Sequence, residues 1–388
     1  MMRKFAKNYL VYVILALIIV LIAAFSSSMS LSIKLFIPNL PVIIILAISL
    51  NLIVGFLGEL SLGHAGFMSI GAFLGGMTAK LLLEKVPLFE SFKSDNLLIF
   101  AIAIAVGAVC AALCGFVVGF AALRLRGDYL AIVTLGFGEI VRVIFMNSSA
   151  ETFGGATGLK SPSFPTSKFP MLTIIGLLFV MFTIFVIKNL LKSKTGRAIT
   201  AIRDNEIAAK AMGIDVTKHK LMVFVIAAAF AGVAGVLFSY ANTPVKPDTF
   251  DYNYSIEILI IVVLGGMGNI NGSIIAATLI TLLNTGLTKY FKDDAALYKD
   301  FLYAIILILV IIYNNAPAFK KFRERYNLKT LYTKVFKPKH NPAKDKGDAA
   351  RWDVVPTKIE MNEVLSTDVV IDSTGDNSAD IGERGGNK

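Results

Sequence analysis

Few residues of this sequence have the types and spacing that chemistry requires. Glu139 and Arg142 stand three positions apart inside an apolar run, so on a helix they share one face and can pair. A lone charge in the middle of a bilayer costs about 3 kcal/mol or more, which makes such residues candidates for function. We favour structural pairing near the outer end of a membrane span over contact with a solute.

Motifs of enzymatic catalysis are absent from the sequence. It contains no GxxxxGK[ST] phosphate loop, no HExxH and no GxSxG turn. Cys110 and Cys114 are four positions apart in an apolar run, a spacing that suits neither a CxxC redox motif nor a disulfide. The sequence therefore predicts no catalytic residue, no metal site and no cofactor on this chain. Energy for transport against a gradient would have to come from an ion or a partner.

The composition is that of a membrane protein. Of the 388 residues 55% are apolar and 17% are charged, and the mean hydropathy is +0.69. An ordinary soluble domain has about 25% charged residues. The formal charge of +11 comes from basic residues that stand between long apolar runs. A nucleic-acid-binding protein would instead carry them as a stripe on a polar surface, so nucleic acid is not an expected partner.

Apolar stretches of about 17 to 25 residues, the length of a helix that crosses a bilayer, recur along the chain. The predicted spans are 9–25, 40–57, 64–83, 97–123, 129–146, 170–191 and 221–241, followed by two weaker regions, 255–288 and 297–315. The first stretch also resembles a signal peptide, but we interpret it as an uncleaved span. The predicted fold is an all-α polytopic membrane protein with about ten transmembrane helices, some of them broken or re-entrant.

The distribution of Lys and Arg orients these spans, because both accumulate on the cytoplasmic side. Residues 188–220 carry eight basic side chains against three acidic ones, and AFKKFRER after the last region is also basic. The connection around Asp251 is net acidic and is predicted to be external. An odd number of crossings must therefore follow Asp251. Splitting 255–288 at GGMGNING gives three crossings and leaves both termini in the cytoplasm.

Glycine-rich breaks interrupt the apolar pattern in two places, which suggests a weak internal repeat. In the later break, freed backbone amides and carbonyls could bind the carboxylate and ammonium of an amino acid. In the earlier break we favour close helix packing and a hinge or capping role near solvent at the inner face. The pathway and hinge candidates are Gly63, His64, Gly66, Gly265, Gly266 and Gly268. Glu257, at the outer end of its span, is expected to be hydrated.

The cytoplasmic segment 192–220 contains a predicted short helix. Asp204 or Asn205 can cap it, Glu206 favours its first turn, and Gly213 offers a left-handed stop. The residues between these ends form a small apolar surface. That surface fits either an amphipathic helix lying on lipid or a contact for a soluble motor subunit.

A resemblance favours the second interpretation. Glu206, Ala208, Ala209 and Gly213 form E-x-A-A-x-x-x-G, a variant of the EAA loop of ABC importer permeases, whose short coupling helix inserts into a cleft of the ATPase. Four longer blocks are similar to the branched-chain amino acid ABC transporter permease of the LivM type: LRLRGDYLAIVTLGFGEIVR, GRAITAIRDNEIAAKAMGID, FAGVAGVLF and VVLGGMGNINGS. The resemblance covers roughly 46–313. It ends at NNAPAFKK, where the family has a different ending, and the long polar tail is not a family feature.

This resemblance implies a permease subunit of an ABC importer for branched-chain amino acids in the bacterial plasma (inner) membrane. The implied partners are a second permease chain, identical or related, two ATPase subunits that use ATP, and an extracytoplasmic solute-binding protein. Arg197 and Arg203 would face polar rims of the ATPase, and the small side chains of Ala208 and Ala209 would permit its close approach. The implied coupling residues are Arg197, Arg203, Asp204, Glu206, Ala208, Ala209 and Gly213.

Three alternatives stay open. A permease of the same family could carry urea, short amides or another small polar solute, since no pattern defines a side-chain pocket. An ion-coupled secondary carrier would need acidic residues within spans, and Glu139 is the serious candidate. A membrane scaffold would act through the tail. The predicted organisation is a permease domain, 1–316, which contains the coupling loop, 192–220, followed by a polar cytoplasmic tail, 317–388, whose composition predicts disorder.

Overall fold

The structure, a computed structural model, describes residues 37–85, 97–122, 127–149, 151–162 and 169–291, with isolated helical positions at 301, 305 and 308. The predicted span 9–25, the polar tail 317–388 and most of the region 297–315 lie outside the described residues. So does the predicted domain boundary after residue 316.

The described part of the chain is helical, and its one β-type contact is an isolated antiparallel bridge between Leu159 and Val245. The α-helices are α1 (Asn39–Asn51), α2 (His64–Lys85), α3 (Leu97–Ala122), α4 (Asp128–Met146), α5 (Phe169–Lys192), α6 (Lys194–Asp204), α7 (Glu206–Ala211), α8 (Val216–Ala241), α9 (Tyr252–Gly265) and α10 (Ile270–Phe291). A π-helical segment, Leu52–Leu57, continues α1, and 3-10 turns cover Gly155–Thr157 and Pro247–Phe250.

Six of the described helices are long and apolar enough to cross a bilayer: α1 with its π-helical continuation, α2, α3, α4, α5 and α8. The predicted spans between residues 40 and 241 each coincide with one of these helices. The region 255–288 forms two shorter apolar helices, α9 and α10, separated at the glycines. The prediction of an all-α membrane protein is therefore confirmed for the described residues, while the count of ten crossings and the internal repeat stay predictions.

Helix α8 lies at the centre of the bundle and packs against α1, α2 and α3. Its contact with α2 is a backbone contact made through glycines. A Cβ added at Gly71 of α2 would collide with the backbone of Gly232, and one at Gly235 would collide with the carbonyl oxygen of Met68. Small residues let helices approach this closely, which gains dispersion energy without side chains between them.

Apolar side chains on the outer faces of α3, α4 and α5 are exposed. Val117, Ile132 and Phe185 are 66%, 64% and 55% exposed. In a soluble protein, faces of this extent would be a liability for aggregation. In a membrane protein they are the surface that meets lipid or another membrane subunit.

Both glycine-rich breaks lie beside the basic segment that the sequence assigns to the cytoplasm. The break after α1 contains Gly55, whose position leaves no room for a Cβ against Gly268 in the turn between α9 and α10. At the opposite end of the bundle, Asn242 after α8 donates a hydrogen bond to Asn39 at the start of α1 (2.7 Å). Helix α9 therefore runs towards the cytoplasmic segment and α10 runs back, as the predicted split requires.

Candidate functional site

The segment 192–220, which the sequence assigns to the cytoplasm, contains the starts of three helices, each with its own side-chain cap. Ser193 caps α6 by accepting from the Gly196 amide (3.2 Å), and Asn205 caps α7 by accepting from the Ala208 amide (3.0 Å). Gly213 has a φ of +79°, the left-handed conformation that ends the short helix. The predicted capping at Asn205 and the stop at Gly213 are thus confirmed. Capping matters here because α7 has six residues and would not be stable in isolation.

The outward face of α7 is apolar. Ile207 is 76% exposed and Met212, just after the helix, is 82% exposed, while Ala208 is exposed beside them. Ala209 differs from the sequence expectation, because it is 4% exposed and packs inward, and its carbonyl accepts from the Ile214 amide (3.1 Å). Its small side chain therefore serves packing within this chain rather than close approach of a partner.

A buried cation anchors α7 to the membrane part of the bundle. Lys220 of α8 is 3% exposed; its ammonium donates to Glu206 (3.1 Å) and forms a second ion pair with Glu59 in the break after α1. Lys210 also pairs with Glu206 (2.8 Å). Hydrogen bonding to Lys210 and Lys220 lowers the pKa of Glu206 to about 2, against the opposing effect of burial. Glu206 therefore stays ionised at neutral pH.

Arg203 links α6 to the breaks. Its guanidinium donates to the carbonyl oxygen of Gly55 (3.1 Å) and pairs with the neighbouring Asp204 (3.0 Å). The resemblance implied that this side chain faces a polar rim of an ATPase, whereas in the structure it contacts the break. The reason is geometric: the π-helical segment and the left-handed Gly58 expose backbone carbonyls that need donors. Arg197, nearer the start of α6, is exposed.

The two breaks are joined through one buried amide side chain. Asn51 is fully buried; it donates to the hydroxyl of Ser273 (2.8 Å) and accepts from the Gly268 amide (2.9 Å). Gly266 and Gly268 have positive φ values, and Gly265 packs so closely on Gly272 that neither has room for a Cβ. The Gly268 amide, which was predicted to be a candidate for binding a solute, therefore already donates to Asn51.

The earlier break is exposed at Gly58 and buried at its far end, at His64. His64 is fully buried and its Nε2 lies 2.8 Å from the hydroxyl of Ser49, so the expectation that solvent is close is wrong for this side chain. Gly63 and Gly66 lie against α4, where a Cβ would collide with the Thr134 carbonyl and approach Gly138 to 2.8 Å. These positions pack α2 on α4.

Glu139 and Arg142 form the pair that their spacing predicts, at the end of α4 away from the cytoplasmic segment. The Arg142 guanidinium donates to Glu139 (2.8 Å) and to Asp248 in the external connection (3.1 Å). The other oxygen of Glu139 accepts from the Tyr252 amide at the start of α9 (3.0 Å). The pair thus fastens α4 to the external connection and to α9, as the structural interpretation expected.

A small cavity of about 150 Å³ lies at the same end of the bundle. Its polar lining contains Glu257, Asn39, Asn242 and Asn284. Glu257 is 8% exposed and accepts a hydrogen bond from Asn284 (2.9 Å), so the expectation of a hydrated carboxylate is wrong. The three asparagines could not be found from the sequence, because they lie in α1, just after α8 and in α10, and no local spacing connects them.

Comparisons with known proteins give one family and several relatives. The family described as "Branched-chain amino acid transport system / permease component" matches residues 32–311. The high-affinity branched-chain amino acid transport system permease protein LivM of Salmonella typhimurium is 35% identical over 74% of this chain and 70% of its own length. Its Escherichia coli K12 counterpart is 34% identical over 74% and 69%, and a probable LivM of Methanocaldococcus jannaschii is 26% identical over 69% and 88%. No solved structure matches the chain.

Proposed function

The chain belongs to the family of permease components of branched-chain amino acid transport systems, and we therefore propose that it forms the membrane pathway for these amino acids in an ABC importer. It is a multi-pass protein of the bacterial plasma (inner) membrane, with several apolar helices of spanning length. A second permease chain, identical or related, completes the pathway. This subunit carries no nucleotide motif in its sequence, so two partner ATPases bind and hydrolyse the ATP and the permease itself catalyses no reaction.

The single observation that carries this proposal is the arrangement of the cytoplasmic segment. It presents exposed apolar side chains, Ile207 and Met212, on a short capped helix held by a buried ion-pair cluster. These two side chains, called the apolar knob, can insert into a cleft of another protein. Burial of two such side chains gains about 3 to 6 kcal/mol. Arg197 and Lys210 add exposed positive charge beside it.

Two side chains would transmit a displacement of the apolar knob to the membrane helices. Arg203 holds the break after α1 through the Gly55 carbonyl, and Lys220 holds the same break through Glu59. Asn51 then joins that break to the turn between α9 and α10. Closure of the ATPases on ATP would push α6 and α7, and because the links are direct side-chain contacts, α1, α9 and α10 would move with them. Glu59, Asn51 and Arg203 are positioning residues in this scheme.

The external end offers a surface for the solute-binding protein. Residues 151–160 form an ordered loop with a 3-10 turn at Gly155–Thr157. Leu159 and Val245 exchange backbone hydrogen bonds of 2.9 Å in both directions, which fixes this loop to the external connection. A fixed loop loses less entropy on docking than a flexible one.

Uptake measurements test the proposal. The chain is reconstituted in proteoliposomes with its ATPases, second permease and binding protein, and uptake of radiolabelled leucine is followed with and without ATP. ATP-dependent uptake is the expected result. Leucine uptake by this chain alone, driven by a sodium or proton gradient, would show a secondary carrier instead, and ATP-driven uptake of urea but not of leucine would reassign the substrate.

A charge placed on the knob tests coupling separately. Ile207→Glu should reduce ATP-driven leucine uptake at least ten-fold, because burial in a cleft would then desolvate a carboxylate. Thr217→Glu is the matched control: it is exposed in the first turn of α8, where an acidic side chain is favourable. Equal uptake by the two variants would remove α7 from the ATPase contact.

A further inference from the structure

The cavity near Glu257 lies at the end of the bundle that the sequence assigns to the outside. Its lining comes from the ends of α1, α8 and α9 that face away from the cytoplasmic segment, and from the far half of α10. The same helices α1, α9 and α10 meet at the two breaks, at the other end of the bundle. A ligand in this cavity would therefore contact the helices that the cytoplasmic segment moves.

The polar lining combines one carboxylate with three amides. Glu257 is 8% exposed, and Asn284 donates to one of its oxygens at 2.9 Å. Asn242 and Asn39 are joined by a 2.7 Å hydrogen bond on the other side. A carboxylate oxygen accepts several hydrogen bonds, and each amide has both a donor and an acceptor. The amide group of Asn242 also donates to the Phe238 carbonyl (3.3 Å). This set matches an ammonium group, since the carboxylate receives the cation and amide oxygens can accept further hydrogen bonds from it.

The rest of the lining is apolar or aromatic. Val42 and Ile43 of α1, Phe238 of α8 and Tyr254 of α9 complete the cavity. Cavities of about 150 Å³ accept a molecule as large as benzene. The cavity therefore has room for the head group of an amino acid and the first carbons of an aliphatic side chain.

We propose that this cavity binds the transported α-amino acid at the external end, with Glu257 receiving the ammonium and α1 and α8 contacting the aliphatic side chain. The proposal rests on the proposed function and adds a substrate site to it. An inorganic cation such as Na⁺ also suits a carboxylate with amide oxygens. The apolar wall has no ligands for such an ion, whereas it can contact the aliphatic side chain of an amino acid. The lining as a whole therefore favours the amino acid.

Direct binding to the purified complex tests the site. The permease with its ATPases, without nucleotide and without the binding protein, is placed in nanodiscs, and binding of radiolabelled leucine is measured by scintillation proximity. Glu257→Gln preserves shape but removes the charge and should weaken leucine binding at least ten-fold, the usual scale for a hydrogen bond to a charged group. Glu84→Gln, an exposed carboxylate at the same end of the bundle, should leave binding unchanged.

Analogues identify which group of the ligand Glu257 receives. 3-Methylbutylamine keeps the ammonium and should compete with leucine, whereas 4-methylpentanoate keeps the carboxylate alone and should not compete. Ile43→Phe fills the cavity without touching the carboxylate and should also abolish binding. ATPase activity and monodispersity of each variant, matched to those of Glu84→Gln, confirm that the complex is folded.

Three results would overturn the site: wild-type affinity in Glu257→Gln, equal competition by the two analogues, or leucine binding that is lost when choline replaces sodium. Each leaves the proposed function standing if ATP-driven leucine uptake by the wild-type complex is observed. Failure of that uptake would instead remove the proposed function, and the site with it.

Discussion

Lys220 is the side chain on which the cytoplasmic segment depends most. It is 3% exposed and lies between two carboxylates that belong to different parts of the bundle, Glu59 and Glu206. A buried ion pair gives little net stability compared with a well-packed apolar contact, but removing one partner leaves a buried charge without compensation. The cluster therefore specifies where α7 sits more than it stabilises the fold.

Removal of this cation should be far more costly than removal of its exposed neighbour. Lys220→Met is expected to lower the free energy of unfolding by about 2 to 4 kcal/mol, because it leaves Glu59 and Glu206 near each other without their shared cation. Lys210→Met, which removes the exposed partner of the same Glu206, should cost less than about 1 kcal/mol. Thermal unfolding in detergent measures both, and equal destabilisation would contradict the structure.

Glu206 gives the segment a predictable dependence on pH. Its folded-state pKa, about 2, lies below the ordinary value of 4.5. A lowered pKa contributes stability above pH 4.5 that is lost as the pH falls from 4.5 towards 2. The difference in unfolding temperature between wild type and Glu206→Gln should therefore be constant above about pH 5 and shrink below pH 4.5. A difference that does not change with pH would show that the carboxylate makes no favourable ionic contact.

Local side-chain roles were predictable from the sequence, and distant ones were not. Asn205 and Gly213 act on backbone groups within three residues of themselves, so their types and spacing suffice. Arg203 and Asn51 instead bind backbone groups 148 and 217 positions away. No pattern along the chain reports such a partner, and for this reason the contact of Arg203 with Gly55 was not predicted; the resemblance implied a contact with the ATPase instead.

At the scale of elements, the crossing of α2 and α8 depends on the absence of side chains. Gly71 and Gly235 lie where the two backbones touch, and neither has room for a methyl group. The spans themselves were predictable because length and apolarity are local properties of a membrane helix. Which helix crosses which was not, because four-residue glycine spacing marks a close contact without naming its partner.

Adding one methyl group should destabilise the protein at this crossing but not at an open helix surface. Gly235→Ala places a Cβ against the Met68 carbonyl and should destabilise the protein by about 1 to 3 kcal/mol through overpacking. Gly136→Ala in α4 meets nothing within 4 Å, so the higher helix propensity of Ala should make it neutral or stabilising by up to about 1 kcal/mol. Unfolding temperatures in detergent are the measurement, and a stable Gly235→Ala would contradict the close crossing.

At the scale of the whole molecule, the two breaks contact each other and form one joint. In each break a membrane helix ends near the cytoplasmic segment, and the two breaks are linked by Asn51 and by the contact of Gly55 with Gly268. The charges of the loops require an odd number of crossings after Asp251, and this requirement predicted that the region 255–288 splits in two. The contact between the two breaks could not be predicted, since it depends on how α1 packs against α9 and α10.

This joint places the turn between α9 and α10 on the cytoplasmic side, which impermeant labelling can check. In a chain with Cys110 and Cys114 replaced by alanine, Met267→Cys introduces a thiol at a position that is 61% exposed in the turn. An impermeant maleimide should label it in inside-out vesicles, as it should Ile207→Cys, and should label the exposed Lys246→Cys in right-side-out vesicles. Labelling of Met267→Cys from outside would mean that α9 and α10 do not each cross the membrane, and the link between cytoplasmic segment and pathway would have to run through other helices.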